Sequence, residues 1–398
     1  MRGAGCLVYL ALTLAVAGGS PVAAVGGEVG VSLGTGFDSN PLRMTGDGPN
    51  GPFSELRADG RLELRSAPWI GWFGTVDGRA RVHDSGVSNA DARSAELRVG
   101  AELTPNPHGT RPLVLALGGA YGTSRSVFTD RATGGLYRAA VYSPADPAAT
   151  AAIPARFDAD TTGAFADLRW NVHRRMRLWL RSELEQVNFV DDYREYAELG
   201  ALDYRGLLLE PGVLVQLSRI SALGVSVIAT ELDHAEQPAL DASGAEVPGA
   251  LREYRSLDWT LTLRLVPQRG MNVRLGLRGG DRDDTHAGFY DTRARGAYGS
   301  FDWAVGPKGK VAILASLREV DYANATVPGT SSGEMLGSIT ERAVGRFDWQ
   351  AAKGLGLFAE AGLQRSDNQS PLFTYGRNWV MTGIQYRRHS ARDKEVLR

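Results

Sequence analysis

Cysteine is almost absent from this sequence: Cys6 is the single one. It falls inside an N-terminal leader, so the mature chain is expected to carry no thiol. That excludes cysteine nucleophiles and cysteine metal sites, and it fits an envelope product that needs no disulfide. Long hydrophobic runs are missing too. Mean hydropathy is -0.20, and no stretch of about 18 apolar residues follows the leader, which excludes a helical membrane span. Charge of one sign is missing as well. Lys and Arg total 44 against 45 Asp and Glu, a net of -1, so nothing argues for nucleic acid as a partner. The six histidines form no recognisable triad, because spacing alone does not identify one. No nucleophile motif maps onto the chain, so no enzyme activity and no cofactor are expected.

The leader reads as a secretory signal. Arg2 gives a basic start, Leu7 to Ala17 an apolar core, and Val22-Ala23-Ala24 a small-x-small cleavage site. The expected organisation is a signal peptide over 1–24, a barrel over 25–388 and a polar tail over 389–398.

The mature chain is dominated by alternation of period two. In Glu55 to Arg65, Leu56, Ala58, Gly60, Leu62 and Leu64 alternate with charged residues. A strand sends successive side chains to opposite sides, so this run has one apolar and one charged face. About sixteen such segments follow one another, most of them about ten residues or longer, the length of a membrane-spanning strand. Those near Tyr204 and Ile220 alternate least cleanly. Connections alternate in length. Short ones include Ser66-Ala67-Pro68, His173-Arg174 and Gly306-Pro307-Lys308. Long ones include Asp38 to Phe53, Ser124 to Ala159, Asp233 to Glu253 and Ser366 to Arg377. Short periplasmic turns and long extracellular loops are the outer-membrane pattern. The fold expected is all-β: a transmembrane antiparallel up-and-down barrel of about 16 strands in the bacterial outer membrane, surrounded by its lipids and monomeric.

Aromatic residues fit this layout. Trp72, Trp170, Trp303, Trp349 and Tyr386 fall near short turns and read as a periplasmic girdle, while Trp259 and Trp379 are assigned to the opposite girdle. The charged faces then line the interior. The pore-lining candidates are Arg57, Asp59, Arg61, Glu63, Arg79, Arg81, Glu96, Arg98, Arg169, Arg177, Arg181, Glu183, Arg264, Arg274, Arg278, Arg346, Asp348 and Glu360. For any one residue, a cross-strand Arg–carboxylate pair that stiffens the wall is the simpler role. For the interior as a whole, a hydrated passage is expected, since about sixteen strands enclose an aqueous channel. One strand differs: Val114, Ala116, Gly118 and Ala120 leave a smooth inner face, against which the Ser124 to Ala159 loop would fold as a constriction.

The carboxylate runs Gly280 to His286 and Asp191, Asp192 and Glu195 lack cation-loop spacing and read as solvated loops; no metal site is assigned. The segment Gly34-Thr35-Gly36-Phe37-Asp38-Ser39-Asn40-Pro41 ends the first strand in a turn. Its Gly34, Gly36, Phe37, Asp38, Ser39 and Asn40 resemble the Gly-x-Gly-Tyr/Phe-Asp-Ser-Asn pattern that opens the barrels of polysaccharide-export porins and of surface-lipoprotein assembly proteins. The resemblance covers about ten residues. It implies an outer-membrane channel that exports a secreted polysaccharide. Those relatives usually carry a helical-repeat domain before the barrel, whereas here the barrel begins almost at the cleavage site, so export would draw on a separate periplasmic partner. The alternatives are a general or solute-selective porin for small polar solutes, and a plugged, non-conducting surface or assembly barrel.

Overall fold

The computed structural model describes residues 25–389 except 42, 44–49, 85–90, 108, 110–111, 128–137, 142–150, 155, 190–202, 242, 244, 287, 327–334 and 370–373. The expected signal peptide and the last nine residues of the expected tail lie outside the described residues. The strands run in order as β1 Val25–Asp38, β2 Gly51–Ala67, β3 Ile70–His83, β4 Ala92–Leu103 and β5 Leu113–Val127. Two short strands follow, β6 Arg138–Val141 and β7 Ala151–Pro154, and then β8 Arg156–His173, β9 Met176–Phe189, β10 Tyr204–Gln216 and β11 Ser221–Leu240. The rest are β12 Glu246–Leu265, β13 Met271–Asp284, β14 Thr292–Val305, β15 Gly309–Thr326, β16 Met335–Ala352, β17 Leu355–Asn368 and β18 Tyr375–His389.

β6 and β7 pair antiparallel with each other as a separate sheet; the other sixteen strands pair antiparallel with their neighbours, and β1 pairs with both β2 and β18. The sheet is therefore closed: a 16-strand up-and-down barrel. Closure removes the sheet edges and satisfies the backbone donors and acceptors inside the bilayer. β10 and β11, whose alternation is weakest in sequence, pair in continuous register from Tyr204↔His234 to Gln216↔Ala222. The short turns gather at one end. Gly306 and Gly354 take φ of 69° and 78° there, a left-handed conformation that glycine adopts without a Cβ penalty.

Two boundaries differ from expectation. Asp233 to Glu253, expected as a loop, is largely strand: β11 and β12 continue past the barrel rim as a hairpin closed near Asp241. The Asp241 carboxylate accepts from the backbone N–H of Ser243 at 2.8 Å and of Ala245 at 3.0 Å, so a side-chain turn replaces a long loop. β18 runs through His389, one residue into the expected tail.

The two faces of the sheet separate by chemistry. Leu33, Val99, Leu117, Leu184, Leu257, Leu275, Ile313, Leu357 and Val380 stand on one face and are all exposed. In water such a surface would be unstable, because burial of apolar area is the main force favouring folding. Trp72, Trp170, Trp303, Trp349 and Tyr386 share this face at the short-turn end, where an interfacial girdle belongs. The other face carries ion pairs. A closed sheet with an exposed apolar exterior and a charged interior is a barrel of the bacterial outer membrane.

Candidate functional site: the inner wall

Contacts between non-adjacent strands identify the concave face. Arg57 of β2 reaches Glu360 of β17 at 3.1 Å, although β1 and β18 lie between them. Arg98 of β4 reaches Glu183 of β9 at 2.9 Å across β5 and β8. Only the inside of a curved sheet brings side chains together over such a gap. The period of two then places the remaining polar residues. Every pore-lining candidate lies on this face, by the register that pairs it with its neighbours.

The inner wall contains three kinds of surface. The first is a dense ion network over β1, β2, β3, β16, β17 and β18. Glu55 is buried at its centre and takes Arg57, Arg79 at 2.7 Å and Arg81 at 2.7 Å. Glu360 accepts from Arg57 and, at 3.3 Å, from the indole Nε1 of Trp379. Arg346 joins Asp348 at 2.9 Å and Glu360 at 3.5 Å. Buried carboxylates are tolerable here because each holds several charge-assisted partners. Toward the periplasmic end the pairs open to water: Arg61 with Glu63 at 2.6 Å, and Arg387 with Asp59 at 3.3 Å.

The second kind is a recess of about 370 Å³ between β4, β5, β8 and β9. Its floor is made by small residues, among them Ala120, Gly122 and Gly163, and its rim by Glu96, Arg98 and Glu183. Phe165 packs over Gly118, where a Cβ would come within 2.6 Å of the ring. The smooth inner face of β5 is thus occupied in part by Phe165 of its neighbour. The Ser124 to Ala159 loop, proposed from sequence as a constriction, falls for the most part outside the described residues.

The third kind is apolar and sits toward the long-loop end. Phe53, Phe358, Trp379 and Met381 form one buried cluster. Trp379 is therefore not part of an outer girdle, which corrects the assignment made from sequence. Trp379 pairs with Asp38, an inward position, and is 7% exposed. Trp259, by contrast, points outward at 46% exposure. A second cluster joins Ala159, Val187, Tyr204, Leu232 and Tyr254. The β13–β14 connection folds onto it: Tyr290 meets Tyr254 edge-on at 6.4 Å, and Phe289 meets Tyr290 at 4.8 Å. Asp291 fixes this loop by accepting from the Asp284 backbone N–H at 2.7 Å, and burial raises its carboxyl above the usual range. The run Gly280 to His286, expected as a solvated loop, is strand through Asp284, with Asp281 and Asp283 outward and Asp284 buried. Among the described residues no group of three or more acidic, histidine or cysteine side chains could hold a metal; Asp191, Asp192 and Glu195 lie outside them.

The first-strand motif closes the barrel. Asp38 is buried and takes Arg377 of β18 and Arg81 of β3. Ser39 donates its backbone N–H to the Asn378 carbonyl at 2.9 Å and accepts from the Asn378 backbone N–H on Oγ at 2.8 Å. Asn40 donates from Nδ2 to the Gly376 carbonyl at 3.0 Å. Gly34 and Gly36 leave room for inward rings: a Cβ on Gly36 would lie 2.7 Å from Phe53, and one on Gly34 would lie 2.9 Å from Phe358. Phe37 faces outward. Asp38, Ser39 and Asn40 of the motif thus join the first strand to the last.

No family model matches the sequence, and no curated protein matches it. Solved outer-membrane proteins are similar to it at low identity. OmpT of Vibrio cholerae, in a trimer form, is 10% identical with a TM-score of 0.47, covering 92% of this chain and 100% of that one. OccK2 of Pseudomonas aeruginosa in complex with glucuronate is 12% identical with a TM-score of 0.42, covering 92% and 98%. OprD of Pseudomonas aeruginosa is 8% identical with a TM-score of 0.42, covering 92% and 94%.

Proposed function

We propose that the barrel is a hydrophilic channel through the outer membrane. One observation carries this reading. Charged side chains that point into the barrel stay open to solvent: Arg61 is 56% and Arg387 55% exposed, although both lie on the concave face. A wall of accessible guanidinium and carboxylate groups lines a water-filled space, and 16 strands are enough to enclose one.

The cargo read from the first-strand resemblance is a secreted polysaccharide, moved outward with separate periplasmic components. Guanidinium and carboxylate groups supply the hydrogen bonds that hydroxyl-rich chains need. A porin for small polar solutes is the second reading, favoured by the inward aromatic clusters that crowd the long-loop end. Purified barrel in a planar bilayer tests the channel: stepwise conductance is expected, and its absence rejects it. Deletion of the gene, with polymer measured at the surface and in the periplasm, tests the cargo. Loss from the surface with periplasmic accumulation supports export; unchanged polymer alongside conductance supports the small-solute porin.

A further inference from the structure

The distribution of unpaired arginines names a solute class for the channel, and this inference rests on the channel reading above. Arg57, Arg79, Arg98, Arg181 and Arg346 each hold a carboxylate within ion-pair distance. On β13, β15 and β16 the pattern breaks. Among the described residues, Arg274, Arg278, Arg318 and Arg342 have no ion-pair or hydrogen-bond partner. All four share the concave face by register. Arg278 pairs with Gly296, and Gly296 pairs with Arg318. Arg318 pairs with Thr340, two residues from Arg342. Arg278 and Arg318 therefore flank Gly296 with one strand between them, roughly 10 Å apart at two strand spacings. The glycine lets the Arg278 side chain lie over β14, because a Cβ there would clash with the Leu317 carbonyl and come within 3.3 Å of Arg278 Nε. Asp258 is the carboxylate whose charge offsets both Arg278 and Arg318 without pairing to either.

Structural economy does not account for this arrangement. Around Glu55, Glu183 and Glu360 the same residue type is neutralised by carboxylates, and Arg177 and Arg264 are held by Asn171 and Asn272, whereas here four like charges share one stretch of wall without such partners, at some cost. The groups are also spread along the wall: Arg274 and Arg278 are four residues apart on one strand, roughly 13 Å. A small anion needs donors that converge on one point. A row of separate guanidinium groups suits a chain that carries repeated anionic groups, and it holds each of them weakly enough to release it to the next. We propose that the β13–β16 face is a track for an extended polyanion, whose carboxylate or phosphate groups pass from Arg274 and Arg278 to Arg318 and Arg342.

The test uses the purified full-length barrel in a planar bilayer. The probes are oligogalacturonate, linear polyphosphate and uncharged dextran of matched length, added to a potassium chloride gradient. Chloride preference is expected, together with current block by one or both polyanions at concentrations roughly tenfold or more below dextran. The carboxylate and phosphate arms separate the two sources of charge. The triple variant R278Q/R318Q/R342Q should lose that tenfold, while R295Q/E319Q, which removes an ion pair on the outward face of β14 and β15, should keep it. Heat-modifiable migration checks that both variants fold; if the triple variant fails that check, R318Q alone is compared with R295Q/E319Q and must show a weaker block by the polyanion. Conductance without chloride preference and with equal block by all three probes overturns the proposal and leaves the channel standing. Conductance absent from wild type removes the channel reading, and the track falls with it.

Discussion

Asp38 at the end of β1 accepts from Arg377 Nε at 3.0 and 2.9 Å, although 339 positions of sequence separate them. This contact joins the first strand to the last, with Arg81 of β3 on the same carboxylate. Removing one partner from a buried pair leaves the other charge uncompensated, at a cost of about 3–5 kcal/mol. Asp38→Asn is expected to lower the temperature at which the folded band converts on gels, or the urea midpoint in detergent. Arg61→Gln, at an exposed pair, should stay within about 1 kcal/mol of wild type. Equal effects for the two would reject the seam as a special site.

Glu55 is a second point of concentrated charge. Three arginines converge on it, and its side chain is 1% exposed. Glu55→Gln keeps the shape but leaves Arg57, Arg79 and Arg81 crowded without their shared anion. The expected loss is again about 3–5 kcal/mol, read by chemical unfolding. The double variant with Arg79→Gln should recover part of it, because Arg79, whose ion pair is with Glu55 while Arg57 and Arg81 also hold Glu360 and Asp38, leaves with the carboxylate; non-additivity of this kind marks residues in one network.

Much of the barrel was legible in the sequence because period two is a strong signal wherever one face is uniformly apolar and the other uniformly charged. β2 and β13 are such strands. The number of strands, the closed architecture and the girdle residues Trp72, Trp170 and Trp303 all follow from it. Legibility fails where both faces are apolar at one level. In β18, Trp379 and Met381 face inward while Val380 and Ile384 face outward, so alternation alone cannot orient Trp379. Its partner Glu360 lies on another strand, and that proximity exists only in the folded sheet. The seam role of Asp38, Ser39 and Asn40 is hidden for the same reason: a turn motif reads locally, and its partners lie at the other end of the chain. The unpaired arginines were visible as arginines, but pairing is a property of register across strands.

The outward face gives a third prediction. Leu184 on β9 is 56% exposed, and Glu183 beside it turns inward to Arg98 and Arg181. Leu184→Arg places a charge against lipid and should cost about 2–4 kcal/mol if the site lies near the bilayer midplane. The measurement is folding into vesicles followed by denaturant titration. A neutral result would contradict the assignment of this face to lipid.

The fourth prediction concerns the β13–β14 connection. Phe289 and Tyr290 lean inward over the wall and pack against Val320 and Tyr322 of β15 and Tyr254 of β12. The guanidinium of Arg252 lies 4.8 Å from the Tyr290 ring centre, and Asn324 Nδ2 donates to the Gly288 carbonyl at 2.7 Å. Gly288 takes a φ of 72°, so the reversal that turns the rings inward depends on a residue without a Cβ. The loop therefore narrows the mouth from one side. Tyr290→Ala removes the ring that joins the two aromatic groups, and single-channel conductance should rise. Gly288→Val should also raise it by a different route, since a left-handed φ is strained for a β-branched residue and the loop would release from its anchor on Asn324. Phe37→Ala, on the outer face, serves as the control and should leave conductance unchanged. If neither inner variant alters conductance while Phe37→Ala is silent, the narrowest part of the path lies elsewhere along the barrel, and the ion network around Glu55 and Glu360 becomes the next segment to probe.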